Sequence, residues 1–149
     1  QHGRFEAGGV PAALELAPTA TAAPCASLFK PVAVNAPLDL GPFPTDRADA
    51  SLWWRHERLH RAAMRDPEAA FAVFQEERDA LEREWAHTPP EARAAFAEHD
   101  RLLEQWTDRV IAACPRDTRP LFVRAYWRTR NRRAAGRGTC GLAGCAGRI

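Results

Sequence analysis

The sequence predicts a mostly helical α+β chain, and three observations lead to this fold class. Residues 46–134 carry apolar side chains at the three- and four-residue intervals of amphipathic helices, whereas residues 1–45 lack this period. The front segment contains one stretch, 19–34, rich in small, β-branched and apolar residues, which is typical of a strand. Residues 135–149 combine glycine and arginine without any apolar period, and we predict a disordered tail there.

The candidate strand reads TATAAPCASLFKPVAV and contains Pro24 and Pro31. Because proline cannot donate a hydrogen bond to a sheet ladder, we expect a bent or edge strand, or two short ones. A segment with so few strands does not form a stable sheet by itself. We therefore expect it to pair with strands outside this chain, with Cys25 as a small buried residue on the strand.

Two helices are predicted in the first half of the helical region. The first starts at Asp49 or Ser51, both favourable N-caps, and runs to about Arg65. The second follows the motif Asp66-Pro67-Glu68, which supplies a cap, a proline at the first position and an early acid. Their predicted inner faces are Leu52, Trp53, His56, Leu59 and Ala63, then Phe71, Phe74, Arg78, Leu81 and Trp85.

Two more helices complete the region. Thr88 followed by Glu91 predicts a capping box for a third helix, which stops at Cys114-Pro115. A short fourth helix is predicted over about 121–133. The inner face predicted for the third helix consists of Ala92, Ala95, Phe96, His99, Leu102, Leu103, Trp106, Val110 and Ile111.

The chain has 149 residues, enough for one ordinary domain, and four scattered cysteines without a C-x-x-C pair. Its start has neither a basic segment nor an apolar run, and no stretch approaches the ~20 apolar residues that span a bilayer. We therefore predict a reduced, cytoplasmic protein without a membrane segment. Because the chain begins without Met, we also expect it to be a piece of a longer protein.

The formal net charge of +2 hides a strong asymmetry along the chain. Residues 46–115 hold more acids than bases, whereas nine arginines and one acid follow from Arg116 onward. The stretch RAYWRTRNRRAAGR could neutralise phosphates and stack Tyr126 and Trp127 on bases, which makes a nucleic-acid-binding helical module one alternative function. Since the rest of the chain leans acidic, we do not expect a nucleic-acid partner.

Residues 56–60 read His-Glu-Arg-Leu-His, the letters of the H-E-x-x-H zinc peptidase motif. Residues four apart share a helix face, so His56 and His60 could bind one metal while Glu57 activates its water. The cation of Arg58 inside the motif and the lack of an assigned third ligand argue against this interpretation. We predict no metal or other cofactor, and a zinc peptidase using His56 and His60 stays an alternative.

Two blocks of the chain resemble the C-terminal part of the secernin-like dipeptidases, which are cysteine-type N-terminal-nucleophile hydrolases. The similarity runs from about residue 16 to about residue 134. In the first block the matching residues are Thr19, Thr21, Ala23, Pro24, Cys25, Ser27, Phe29, Lys30 and Pro31. In the second they are Ser51, Trp53, Trp54, His56, Glu57, His60 and Arg61.

This resemblance implies a four-layer αββα sandwich in the full protein and hydrolysis of peptide bonds, typically in dipeptides. The family's nucleophile is an N-terminal cysteine whose own α-amino group acts as base. Cys25 cannot take that role because it stands mid-chain after Pro24. We therefore expect no catalytic residue in this chain and a peptide substrate bound through an upstream part. We also expect the side chains of Arg55 and Arg61 to face solvent.

Overall fold

The computed structural model describes residues 15–16, 23–33 and 37–136, and most of them are helical, as predicted. Two strands of two residues each pair antiparallel, so the sandwich implied by the resemblance stays a prediction. In chain order the elements are β1 (Glu15–Leu16), a 3-10 helix (Pro24–Ala26), β2 (Val32–Ala33), α1 (Leu52–Ala63), α2 (Pro67–His87), α3 (Ala92–Ala113) and α4 (Leu121–Ala134).

Local sequence signals set the starts of α1 and α2 where they were predicted. The Ser51 hydroxyl accepts a hydrogen bond from the backbone N–H of Trp54 at 3.3 Å, which caps α1. The Asp66 carboxylate accepts from the N–H of Ala69 at 3.4 Å, and Pro67 occupies the first turn of α2. Both caps satisfy backbone donors that have no partner within the helix.

The predicted capping box at Thr88 is wrong, because α3 begins three residues later. Thr88 instead ends α2, and its N–H donates to the Glu84 carbonyl at 2.8 Å. The N-cap of α3 is Glu91, whose carboxylate accepts from the N–H of Ala94 at 3.2 Å. The two prolines at 89 and 90 explain the shift, since a residue before proline is held out of the helical conformation.

The strand predicted over 19–34 is present only in part within residues 23–33. Pro24 starts a 3-10 helix, since its fixed φ suits a first helical position, and only Val32–Ala33 is a strand. That strand pairs with Glu15–Leu16 of the same chain, and pairing with strands outside this chain stays a prediction. Cys25, expected to be buried, lies exposed in the turn.

The core forms where α1 and α2 pack on α3. Trp106 of α3 is fully buried; its ring stacks on Phe74 with centroids 5.1 Å apart, and its indole N–H donates to Glu77 at 2.9 Å. In α1 the buried tryptophan is Trp54, not the predicted Trp53, and its indole N–H donates to the Thr45 carbonyl at 3.0 Å. The predicted inner faces of α1, α2 and α3 together contain ten of the sixteen buried residues of the core.

Helix α4 is attached more loosely than the other three. Ala134 is its one buried residue, and the carbonyl of Ala134 accepts from the N–H of Ala48 at 2.9 Å. The Asn131 side chain adds a contact to α1 through Arg61 at 2.9 Å. Among the helices described, none has the length and apolar character needed to cross a membrane.

Candidate functional site

Buried polar groups concentrate where residues 23–33 meet α1 and α3. We call this set the polar junction; its members are Ser27, Lys30, His56 and His99, and each is at most 1% exposed. Burying polar groups costs free energy unless they find partners, so such a cluster is unusual in a small core. The junction joins residues about 30 and 70 positions apart along the chain.

Lys30 is the centre of the polar junction and the single lysine of the chain. Its ammonium donates to the Leu28 carbonyl at 2.6 Å and contacts Nδ1 of His99 at 3.1 Å. The ammonium also lies over the Phe96 ring, 5.1 Å from the centroid. Burial lowers the pKa of Lys30 to about 8, so the side chain stays charged at neutral pH.

The contacts of the two histidines define their protonation. Nε2 of His56 lies 3.1 Å from the Ala26 carbonyl, which can only accept, so Nε2 carries the proton. Nδ1 of His99 faces the Lys30 ammonium and therefore accepts, which leaves the proton on Nε2. Burial, reinforced by the charge of Lys30, lowers the pKa of His56 to about 4 and that of His99 to about 2. Both rings are neutral at pH 7.

Three polar atoms of the junction have no hydrogen-bond partner within the described part of the chain. They are Oγ of Ser27, Nδ1 of His56 and Nε2 of His99. By the assignment above, His56 offers a free acceptor and His99 a free donor. A buried group of this kind costs roughly 1–3 kcal/mol when left unpaired. Unpaired atoms of this kind reduce the stability that the junction contributes.

The H-E-x-x-H residues face different neighbours. His56 turns inward to the Ala26 carbonyl, whereas Nδ1 of His60 lies 3.1 Å from Glu57 and its ring packs edge-on against Trp127. The other oxygen of Glu57 accepts from Arg61 at 2.8 Å. Across the described ranges, no group of three or more His, Cys, Asp or Glu side chains is arranged to hold a metal ion.

The two arginines expected to face water do not do so fully. Arg61 is only 10% exposed at its side chain, and its guanidinium lies 5.0 Å from the Trp54 ring and 5.4 Å from the Trp127 ring. Arg55 is partly buried and holds both oxygens of Asp100 at 2.9 and 3.0 Å. A planar guanidinium stacks well on aromatic faces. Trp54 and Arg61 are seven residues apart, which places both on one face of α1. This spacing was therefore a signal in the sequence for their contact.

Neither of the two described cysteines has the environment of a reactive thiol. Cys25 is exposed, and its carbonyl accepts a hydrogen bond from Arg78 of α2. Cys114 is buried at the end of α3, where burial raises the pKa of its thiol. A thiol with a raised pKa is a poor nucleophile at neutral pH. Cys140 and Cys145 lie outside the described residues.

Comparison with known proteins adds no relative: no family profile, no curated protein and no solved structure matches the chain. The resemblance to the secernin-like dipeptidases stays a prediction that depends on the quoted residues. All four members of the polar junction were singled out in the sequence as motif or helix-face residues. Their contacts with one another were not predicted.

Proposed function

We propose that these residues form the C-terminal part of a cysteine-type dipeptidase of the secernin-like kind, whose nucleophile lies upstream of Gln1. One observation carries the proposal: described residues of the two blocks that bear the resemblance meet in the core. The His56 ring of the second block bonds to the Ala26 carbonyl within the first block at 3.1 Å. Separate chance matches would have no reason to meet in the core.

The polar residues of both blocks support the same interpretation. Lys30 and Ser27 from the first block and Ser51, His56 and Glu57 from the second are all buried. A helix that merely packs on its neighbours would bury apolar residues at these positions at lower cost. Lys30 and His56 hold the front segment on α3 and α1, a positioning task that a larger catalytic domain would require.

Exposed apolar side chains support a role as the covering layer of a larger domain. Phe43 is 93% exposed, and Phe29 and Leu40 are also exposed on the front segment. In layered α/β folds, helices bury one apolar face against a sheet. In the proposed parent enzyme these residues would contact the strands of the sandwich.

The proposed chemistry belongs to the upstream cysteine. Its thiolate would attack the carbonyl carbon of the scissile bond, and its own α-amino group would pass the thiol proton to the amine that departs as the C–N bond breaks. Water would then hydrolyse the thioester, releasing the acid and restoring the thiol. Cys25 cannot replace it, because its backbone nitrogen lies in a peptide bond after Pro24. This chain would contribute the fold that supports the nucleophile.

Dipeptide hydrolysis by the complete reading frame tests the proposal. We expect activity that is lost when the N-terminal cysteine of the mature enzyme is changed to alanine. Cys25→Ser is the matched control and should leave the hydrolysis rate within about two-fold, because this exposed thiol takes no part in the proposed chemistry. A reading frame without an upstream cysteine, or hydrolysis that survives its removal, would refute the proposal.

A further inference from the structure

The outward side of α4 combines exposed aromatic and cationic side chains, and no side-chain hydrogen bond or ion pair joins them to another element of the described ranges. We call it the α4 outer face; its residues are Phe122, Tyr126, Arg128, Arg130, Arg132 and Arg133, all exposed. The helix is attached through its opposite side, where Asn131 contacts Arg61 and Ala134 is buried. The outer face is therefore free to meet a partner.

The charge of this face is unbalanced. Helix α4 contains five arginines and no acid. Other arginines have carboxylate partners, such as Arg55 with Asp100 and Arg109 with Glu77, but no arginine of α4 forms an ion pair within the part of the chain described. Because arginine stays charged at any physiological pH, the face keeps a concentrated positive potential.

The aromatic groups are arranged in line with the charge. Phe122 is 77% exposed and Tyr126 is 53% exposed, one helical turn apart. The guanidinium of Arg130, one further turn along, lies 5.1 Å from the centre of the Tyr126 ring. Three planar groups thus follow one another at a rise of roughly 6 Å per step. Exposed planar groups beside arginines are the elements of a base-stacking surface.

We propose that the α4 outer face binds single-stranded nucleic acid, with its arginines on phosphates and Phe122 and Tyr126 stacked on bases. A duplex would leave the aromatic rings unused, because its bases are already stacked. A membrane surface fits less well, since the apolar residues occupy only the first turns of α4 and an interfacial helix needs a continuous apolar face. The inference is independent of the proposed peptidase activity.

The acidic residues that argued against a nucleic-acid partner lie elsewhere. Glu77, Glu98 and Asp100 belong to α2 and α3, and each pairs with an arginine on α1 or α3. These carboxylates are thus partly neutralised where they stand, and none pairs with α4. The overall acidity of residues 46–115 does not cancel the local charge of the outer face.

Fluorescence anisotropy with the complete chain tests the proposal, using labelled oligothymidylate and oligouridylate over a series of NaCl concentrations. If four arginines contact phosphates, the logarithm of affinity should fall with the logarithm of salt with a slope of roughly −3. The double variant Arg132→Gln/Arg133→Gln should bind both oligonucleotides more weakly and reduce the slope by about 1.4. Phe122→Ala or Tyr126→Ala should weaken binding roughly 5- to 150-fold and leave the slope unchanged.

The control is Arg83→Gln/Arg93→Gln, which removes the same charge from exposed positions on α2 and α3. It should change the affinity less than two-fold. Circular dichroism should show that every variant keeps the helical content of the parent chain. Absence of binding, equal losses in the control, or tighter binding to duplex DNA, polyglutamate or phosphatidylserine vesicles than to single strands would overturn the proposal.

Discussion

Helices α1 and α4 are both rich in arginine, yet they use it in opposite ways. In α1, Arg61 lies between two tryptophan rings and bonds to Glu57, and Arg55 holds Asp100 of α3. In α4, four of the five arginines are exposed, none has a carboxylate partner in the described ranges, and one residue of the helix is buried. The comparison shows that an arginine's role depends on which acids and aromatic rings the fold brings to it, not on composition.

The largest expected effect on stability is the difference between truncating an aromatic side chain in the core and truncating one on α4. Trp106→Ala should lower the free energy of unfolding by about 3–5 kcal/mol, because it leaves a cavity beside Phe74 and removes the indole hydrogen bond to Glu77. Phe122→Ala removes an exposed ring and should change it by less than about 0.5 kcal/mol. Urea denaturation followed by circular dichroism measures both, and similar losses would contradict the contrast.

The polar junction should make stability rise with pH in two separate ranges. The folded pKa values of His56 and His99 are about 4 and about 2 against an ordinary 6.5, so below pH 6.5 the unfolded chain binds more protons and stability falls as pH drops. The pKa of Lys30 is about 8 against 10.5, so stability should rise from pH 8 to 10.5, by up to about 3 kcal/mol.

Two variants assign these ranges to their groups. Lys30→Met removes the titrating amine and should abolish the rise above pH 8, while His56→Gln should reduce the loss below pH 6.5. Urea unfolding at steps of one pH unit compares each variant with the parent chain. If the alkaline rise persists in Lys30→Met, another group is responsible and the buried ammonium is not as destabilising as its surroundings imply.

A smaller effect distinguishes the arginines themselves. Arg61→Ala should lower the free energy of unfolding by about 2 kcal/mol, because it leaves the buried Glu57 carboxylate with His60 alone. Arg61→Lys should recover only part of this, since an ammonium cannot reproduce the planar contact with Trp54 and Trp127. Thermal and urea unfolding measure the stability of both variants. Full recovery of stability in the lysine variant would show that stacking on the two tryptophans contributes nothing.

The smallest effect is expected on α4. Arg130→Ala loses only an exposed contact to Tyr126 and should change the free energy of unfolding by less than about 0.5 kcal/mol. The same urea titration provides the measurement. A loss comparable to that of Arg61→Ala would mean that α4 is held more firmly than its exposed side chains indicate, and it would remove the contrast between the two helices.

The sequence predicted what short-range patterns encode. Ser51 and the Asp66-Pro67 pair defined the starts of α1 and α2 because capping depends on residues within one turn. The prediction failed at Thr88, where two prolines override the capping pattern, and at Pro24, which favours a helical turn over a strand. These errors come from competing local rules, and proline decided both.

The polar junction could not be predicted, because its contacts span long stretches of chain. Lys30 meets His99 across 69 positions, and His56 meets the Ala26 carbonyl across 30. Periodicity placed His99 on the inner face of α3 but could not identify its neighbour there. A lone lysine in an arginine-rich chain was the available hint, since a flexible ammonium tolerates a lowered pKa that a guanidinium does not.

The burial of Lys30 also gives the chain an internal reporter of its own opening. Its ε-amine is the one side-chain amine available to acylating reagents, and the folded core covers it completely. Reagents such as N-hydroxysuccinimide esters should therefore mark this position only while the segment carrying it is transiently released from α1 and α3. Counting adducts by mass spectrometry over time would convert that release into a rate without introducing a dye, a tag or a substitution.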